Sequence, residues 1–207
     1  ATIARCAALV EALGGIPVPR PLIRLVLEEL ALPRIERLDR DDWVALTSPA
    51  AARAFADAVA RTGLVANRRP RLVTIGSAAA AELERQGFAV ALVVSRSPGD
   101  GTLVTSLNRT LPAGARILRL RSDRADETLT RALRETGYAV EDLVLYRNEF
   151  IAPGPLPRFD AIFFASASAV DSFVASWGVA PLQRAIVGAM GAPTARALTG
   201  RGIMAPV

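Results

Sequence analysis

Short apolar runs alternate along this chain with stretches whose apolar positions recur at helical spacing. Residues 2–13 place Ile3, Cys6, Ala7, Val10 and Leu13 on one helical face, and Gly14-Gly15 ends that helix. Ile16 to Arg24 carries Pro17, Pro19 and Pro21 and reads as an extended crossover. Leu25 to Leu38 reads as helical apart from a break at Pro33. The spacing then predicts strands at 43–47, 72–75, 88–94 and 117–120, with helices at 49–61, 77–86, 102–110 and 126–136 between and after them. Val140–Phe150 is extended, 152–157 is a Pro/Gly linker, and strands at 161–164 and 185–190 are followed by helices at 169–176 and 192–201. Such alternation implies parallel sheets covered on both faces.

Two stretches repeat one pattern. Asp42-Trp43-Val44-Ala45-Leu46-Thr47-Ser48, then Ala51 and Phe55, matches Asp160-Ala161-Ile162-Phe163-Phe164-Ala165-Ser166, then Ala169 and Phe173. Ile75-Gly76-Ser77-Ala78-Ala79-Ala80, Leu83 and Gly87 match Met190-Gly191-Ala192-Pro193-Thr194-Ala195, Leu198 and Gly202. Two copies predict two similar α/β lobes with a cleft between them. Residues 26–143 form one lobe; residues 1–22 and 150–207 assemble the other, with the N-terminal helix completing its core. Residues 23–25 and 144–149 are the crossovers. The chain opens on a helix and stops without one to cover its last strand, so both ends read as clipped.

Composition narrows the chemistry. The chain has 207 residues and a net charge of +5, and its 25 basic residues are all arginine, with no lysine or histidine. Arginine in place of lysine is also what genomic base composition alone produces. Even so, its planar fork suits carboxylate or phosphate, so an anionic ligand fits. Nucleic acid fits less well, since only Arg68-Arg69-Pro70-Arg71 clusters and aromatic residues are 5%. Without histidine there is no Ser-His-Asp or Cys-His site and no histidine metal ligand; without lysine there is no Schiff base. The single cysteine, Cys6, forms no internal disulfide. No apolar run approaches the ~20 residues of a membrane span, and no secretory leader is evident; a cytoplasmic protein is expected.

Candidate binding residues lie where predicted strands give way to helices, the mouth of an α/β sheet. Ser166, Ser168 and Thr194 bring hydroxyls there, and Ser48 has the same setting in the first copy; ordinary helix capping is the alternative for each. Thr47 is the last residue of its strand. The helix starts at Gly76-Ser77 and Gly191 can offer backbone N–H groups to an anion. Gly101 and Thr102 form a loop-to-helix entry, for which a solvated loop is the alternative. Arg121 follows a strand end and can clamp a carboxylate; Arg147 adjoins Tyr146 on the opposite strand face, and an exposed ion pair is the alternative for both arginines. Neither Gly76 nor Gly191 belongs to a dinucleotide-binding glycine motif, so no NAD or FAD site is expected.

In these blocks the chain resembles the uroporphyrinogen-III synthase family. The resemblance runs in order through Pro21-Leu22-Ile23, Thr47-Ser48-Pro49, Gly76, Gly101-Thr102-Leu103, Ile117-Leu118-Arg119-Leu120-Arg121, Val144-Leu145-Tyr146-Arg147, Ser166-Ala167-Ser168 and Gly191-Ala192-Pro193-Thr194-Ala195. It implies two flavodoxin- or Rossmann-like lobes, the first discontinuous, joined by a two-stranded ladder. It also implies closure of hydroxymethylbilane, a linear tetrapyrrole with an acetate and a propionate on every ring, to uroporphyrinogen III by inversion of the last ring through a spiro intermediate. No cofactor and no metal are expected, and a monomer binding its substrate in the inter-lobe cleft is. Tyr146 aligns with the tyrosine proposed to assist departure of the substrate hydroxyl; packing beside Leu143 and Leu145 is its alternative. Ala79, Ala165 and Ala167 depart from the family pattern. They are the residues that favour the other reading, a non-catalytic two-lobe binding or regulatory module.

Overall fold

The computed structural model describes residues 2–64, 69–94, 103–151 and 154–205. The chain divides into two compact units, Leu25–Asn148, and Ala1–Arg24 with Glu149–Val207.

The larger unit is built on a sheet of order β1-β6-β5-β2-β3-β4, with β1 Ile23–Leu27, β2 Trp43–Leu46, β3 Arg71–Ile75, β4 Val90–Val94, β5 Arg116–Ser122 and β6 Ala139–Phe150. Strands β2 to β6 run parallel. β2 is buried at every residue, as a central strand covered on both faces must be. Helices α3 (Pro49–Thr62) and α4 (Ser77–Arg85) cover one face, where Phe55 packs against Phe88 at 5.5 Å between ring centroids. Helices α5 (Leu103–Thr110) and α6 (Thr128–Glu135) cover the other through Leu107 and Leu133.

The segment expected to be helical from Leu25 departs from that reading. β1 runs to Leu27, a 3₁₀ turn spans Glu29–Ala31, and α2 is only Leu32–Glu36. Leu25 and Leu27 alternate onto the α3 face, which suits a strand. Pro33 lies in the first turn of α2, where a missing N–H does no harm, so it begins a helix instead of breaking one. β1 lies antiparallel to β6: Glu28 N–H donates to the Leu145 carbonyl and Ile151 N–H to the Leu22 carbonyl, each at 2.9 Å. The chain passes between the units within these two strands. β6 is one continuous strand that pairs with β5 from Ala139 to Tyr146 and meets β1 from Leu145 onward.

The smaller unit has a two-stranded parallel sheet, β7 Ala161–Phe164 and β8 Ile186–Ala189, with α7 Ala167–Trp177 and α8 Ala192–Thr199. Its core gathers Leu22, Phe164, Val170, Phe173, Val187 and Leu198. Among the described side chains, the N-terminal helix α1, Thr2–Ala12, adds none to this core, unlike the expectation: Leu9, Val10 and Leu13 are exposed and Cys6 and Ala7 half-buried. α7 and α8 already cover the buried face, and Phe163 and Ile186 on the opposite face are exposed as well.

One buried carboxylate ties α3 to α4. Glu82, 7% exposed, bonds Arg85 on its own helix and faces Arg53 of α3 at 3.5 Å. The Arg85 hydrogen bond holds its carboxyl below the ordinary 4.5; burial opposes this, and Gln86 and Arg53 add to it. A lowered folded-state pKa means that the unfolded chain binds the proton first. The stabilisation is therefore complete above about pH 4.5 and is lost as pH falls through the folded value. Glu82→Gln is expected to melt below wild type at neutral pH, with the gap closing on acidification. Melting curves at several pH values check this; a gap constant with pH would contradict it.

Candidate functional site

Strand order in the larger sheet reverses between β2 and β5, and a crevice forms at such a point beyond the C-terminal strand ends. Leu46 stands beside Leu120; the chain leaves β2 at Thr47, whereas β5 runs on to Ser122, so Arg121 lies within the strand and not after its end as the sequence indicates. Ser48 follows with extended backbone, and its Oγ accepts the Ala51 N–H at 3.1 Å, capping α3. The same Oγ lies 3.5 Å from the Tyr146 hydroxyl.

Tyr146 reaches Ser48 through a bulge. Arg121 pairs with Val144 but Ser122 with Tyr146, leaving Leu145 as the extra residue. A bulge breaks the alternation of strand faces. Leu145 and Tyr146 therefore both enter the core beneath α3, 0% and 5% exposed, while Arg147 is exposed and donates to Glu28 at 2.8 Å.

Arg121 is bound on its inner side. Its Nε donates to Asp142 Oδ2 at 3.0 Å, and Nη1 donates to the Ser122 and Ala125 carbonyls at 3.0 and 3.3 Å. Beneath it lies Arg119, 4% exposed, whose Nη1 donates to the Asp126 carbonyl at 2.9 Å and to Thr130 Oγ1 at 2.8 Å. Burial pushes the Arg119 guanidinium down from its ordinary value, against the opposing pull of Asp142. The sequence reading missed Asp142 and Thr130 and gave Arg119 no role. The signal was present: Arg119 interrupts the apolar run of β5, and Asp142 lies beside it in β6.

The repeat is reproduced in backbone detail. Ser166 caps α7 by accepting the Ala169 N–H at 3.2 Å, with φ −159° and ψ 156° against −153° and 155° at Ser48. Gly76 and Gly191 precede α4 and α8 at φ +86° and +125°, backbone that a side chain would strain. Neither helix start has a side-chain cap, so its first N–H groups are not taken by one. Ser77 is exposed. Ser168 Oγ lies 3.1 Å from Ser166 Oγ, and Thr194 is buried within α8 at 4% exposure.

The larger sheet thus gathers Thr47, Ser48, Gly76, Ser77, Arg121 and Tyr146 at its C-terminal end. Ser166, Ser168, Gly191 and Thr194 occupy the corresponding end of the small sheet. Gly101 and Thr102 lie outside the described residues. Among the described residues no three potential metal ligands of the His, Cys, Asp and Glu types stand together, and no helix is long and apolar enough to cross a membrane.

A mixed α/β chain with duplicated strand-end sites is the class these features define. Residues 4–207 match the sequence profile of uroporphyrinogen-III synthase HemD, and the chain belongs to that family. Its fold is similar to that of a uroporphyrinogen III synthase from the extremely thermophilic bacterium Thermus thermophilus, at 24% identity and TM-score 0.55, over 99% of this chain and 88% of that one. The Helicobacter pylori uroporphyrinogen-III synthetase matches at 17% identity and TM-score 0.64, over 89% and 83%. No curated protein sequence matches the chain.

Proposed function

We propose that this chain is a cofactor-independent cyclising lyase that converts hydroxymethylbilane to uroporphyrinogen III with inversion of the last ring. The observation that carries the reading is the duplicated strand-end geometry, Ser48 with Gly76 and Ser166 with Gly191, in a chain of this family. The substrate bears a carboxylate-tipped arm at two positions of every ring. Helix starts and hydroxyls at two strand-end sites, with Arg121 beside one, are groups suited to receive such arms.

Thr47, Ser48, Gly76, Ser77, Gly101, Thr102 and Arg121 bind the linear tetrapyrrole. Ser166, Ser168, Gly191 and Thr194 bind it as well, and the protein works as a cytoplasmic monomer. Tyr146 donates to the departing hydroxyl, which leaves as water. The electron-rich pyrrole supplies the nucleophile, and the protein contributes orientation, choosing which ring carbon closes. Supplying the protein with hydroxymethylbilane and separating the product isomers tests this. Isomer III is expected, and isomer I alone would refute it.

A further inference from the structure

We propose that Asp142 is a positioning residue that presents Arg121 to a substrate carboxylate; this rests on the carboxylate-binding role given to Arg121 above. Asp142 Oδ2 is shared by two guanidiniums, Arg121 Nε at 3.0 Å and Arg119 Nη1 at 3.5 Å. The side chains of Arg119, Asp142 and Arg121 are 4%, 10% and 14% exposed.

This cluster is poorly suited to stability alone. Asp142 Oδ1 and Arg119 Nε are buried with no partner. Buried charges with unmet hydrogen bonds are a weak source of stability, and apolar residues of similar volume commonly replace them without loss. What the cluster does achieve is geometric. Asp142 fixes Nε, and the turn after β5 fixes Nη1 through the Ser122 and Ala125 carbonyls. Among the described residues Nη2 has no protein partner, and the side chain keeps 14% of its surface exposed. A carboxylate arriving at the end of β5 meets a cation held rigid before it binds, so little side-chain freedom is lost on contact.

The test is a double-mutant cycle on KM and kcat with hydroxymethylbilane, using Asp142→Asn, Arg121→Gln and the pair. Asp142→Asn is expected to raise KM about tenfold, the scale of one charged hydrogen bond, with kcat within about twofold. In the Arg121→Gln background Asp142→Asn should raise KM no further, because it acts through Arg121. An equal rise in both backgrounds, or none in either, would overturn the proposal even if Arg121→Gln alone weakens binding. An unchanged KM in Arg121→Gln would overturn the binding role of Arg121 itself. Arg119→Gln, which keeps the bond from Arg121 to Asp142, should leave KM within about twofold; a rise matching that of Asp142→Asn would count against the proposal. If Asp142→Asn does not fold, Asp142→Ser, which also removes the carboxylate, carries the same cycle, with the same outcomes deciding.

Discussion

Tyr146→Phe is expected to slow turnover roughly a hundredfold, at the lower end of general-acid contributions, while the product stays isomer III. Ser48 Oγ already accepts the Ala51 N–H, so its own hydrogen is free to turn toward the Tyr146 oxygen 3.5 Å away. That arrangement leaves the phenol hydrogen to donate elsewhere, to a leaving hydroxyl in the proposed reaction. The substituted ring keeps its place beneath α3 with Leu145, and the Ser48 cap is untouched, so folding should change little. A reactive pyrrole substrate needs modest help, which sets the effect near the low end of the range. Rate and isomer ratio must be measured together. An unchanged rate would return Tyr146 to a packing role. A normal rate with isomer I appearing would make it a residue that shapes the substrate.

Phe173→Ala is expected to destabilise the smaller unit by about 3–5 kcal/mol, the usual range for emptying a buried phenylalanine site. Phe173 is 1% exposed, and its ring meets Trp177, Phe164 and Phe159 at 4.9, 5.5 and 6.3 Å. Because the chain forms two compact units, the loss should be local. Hydrogen exchange in the variant should show reduced protection in β7, β8 and α7, with β2, β3 and β5 still protected. Equal loss in all of them would mean that the chain unfolds as one cooperative body.

The features legible in the sequence are those set by neighbours a few positions apart. The strand-to-helix turns at Ser48 and Ser166 declare themselves by a hydroxyl residue before a helical pattern, and Gly76 and Gly191 by a glycine after a strand. β1 was obscured because Ile23–Leu27 is short and adjoins a proline-rich stretch on one side and helical spacing on the other. Its strand character comes from pairing with β6, far along the chain. The approach of Tyr146 to Ser48 depends on a bulge at Leu145, which no local pattern announces. Asp142 and Arg121 meet only once β5 and β6 take their register. The apolar spacing of α1 was misleading in another way: it predicts a helix, which forms, but not what the apolar face packs against.

The most direct test of the functional account is the isomer ratio formed from freshly prepared hydroxymethylbilane, with and without the protein. Closure without enzyme gives isomer I. The account predicts that adding the protein accelerates consumption of the substrate and turns the product to isomer III. Isomer I at the uncatalysed rate, in the presence of folded protein, would contradict it.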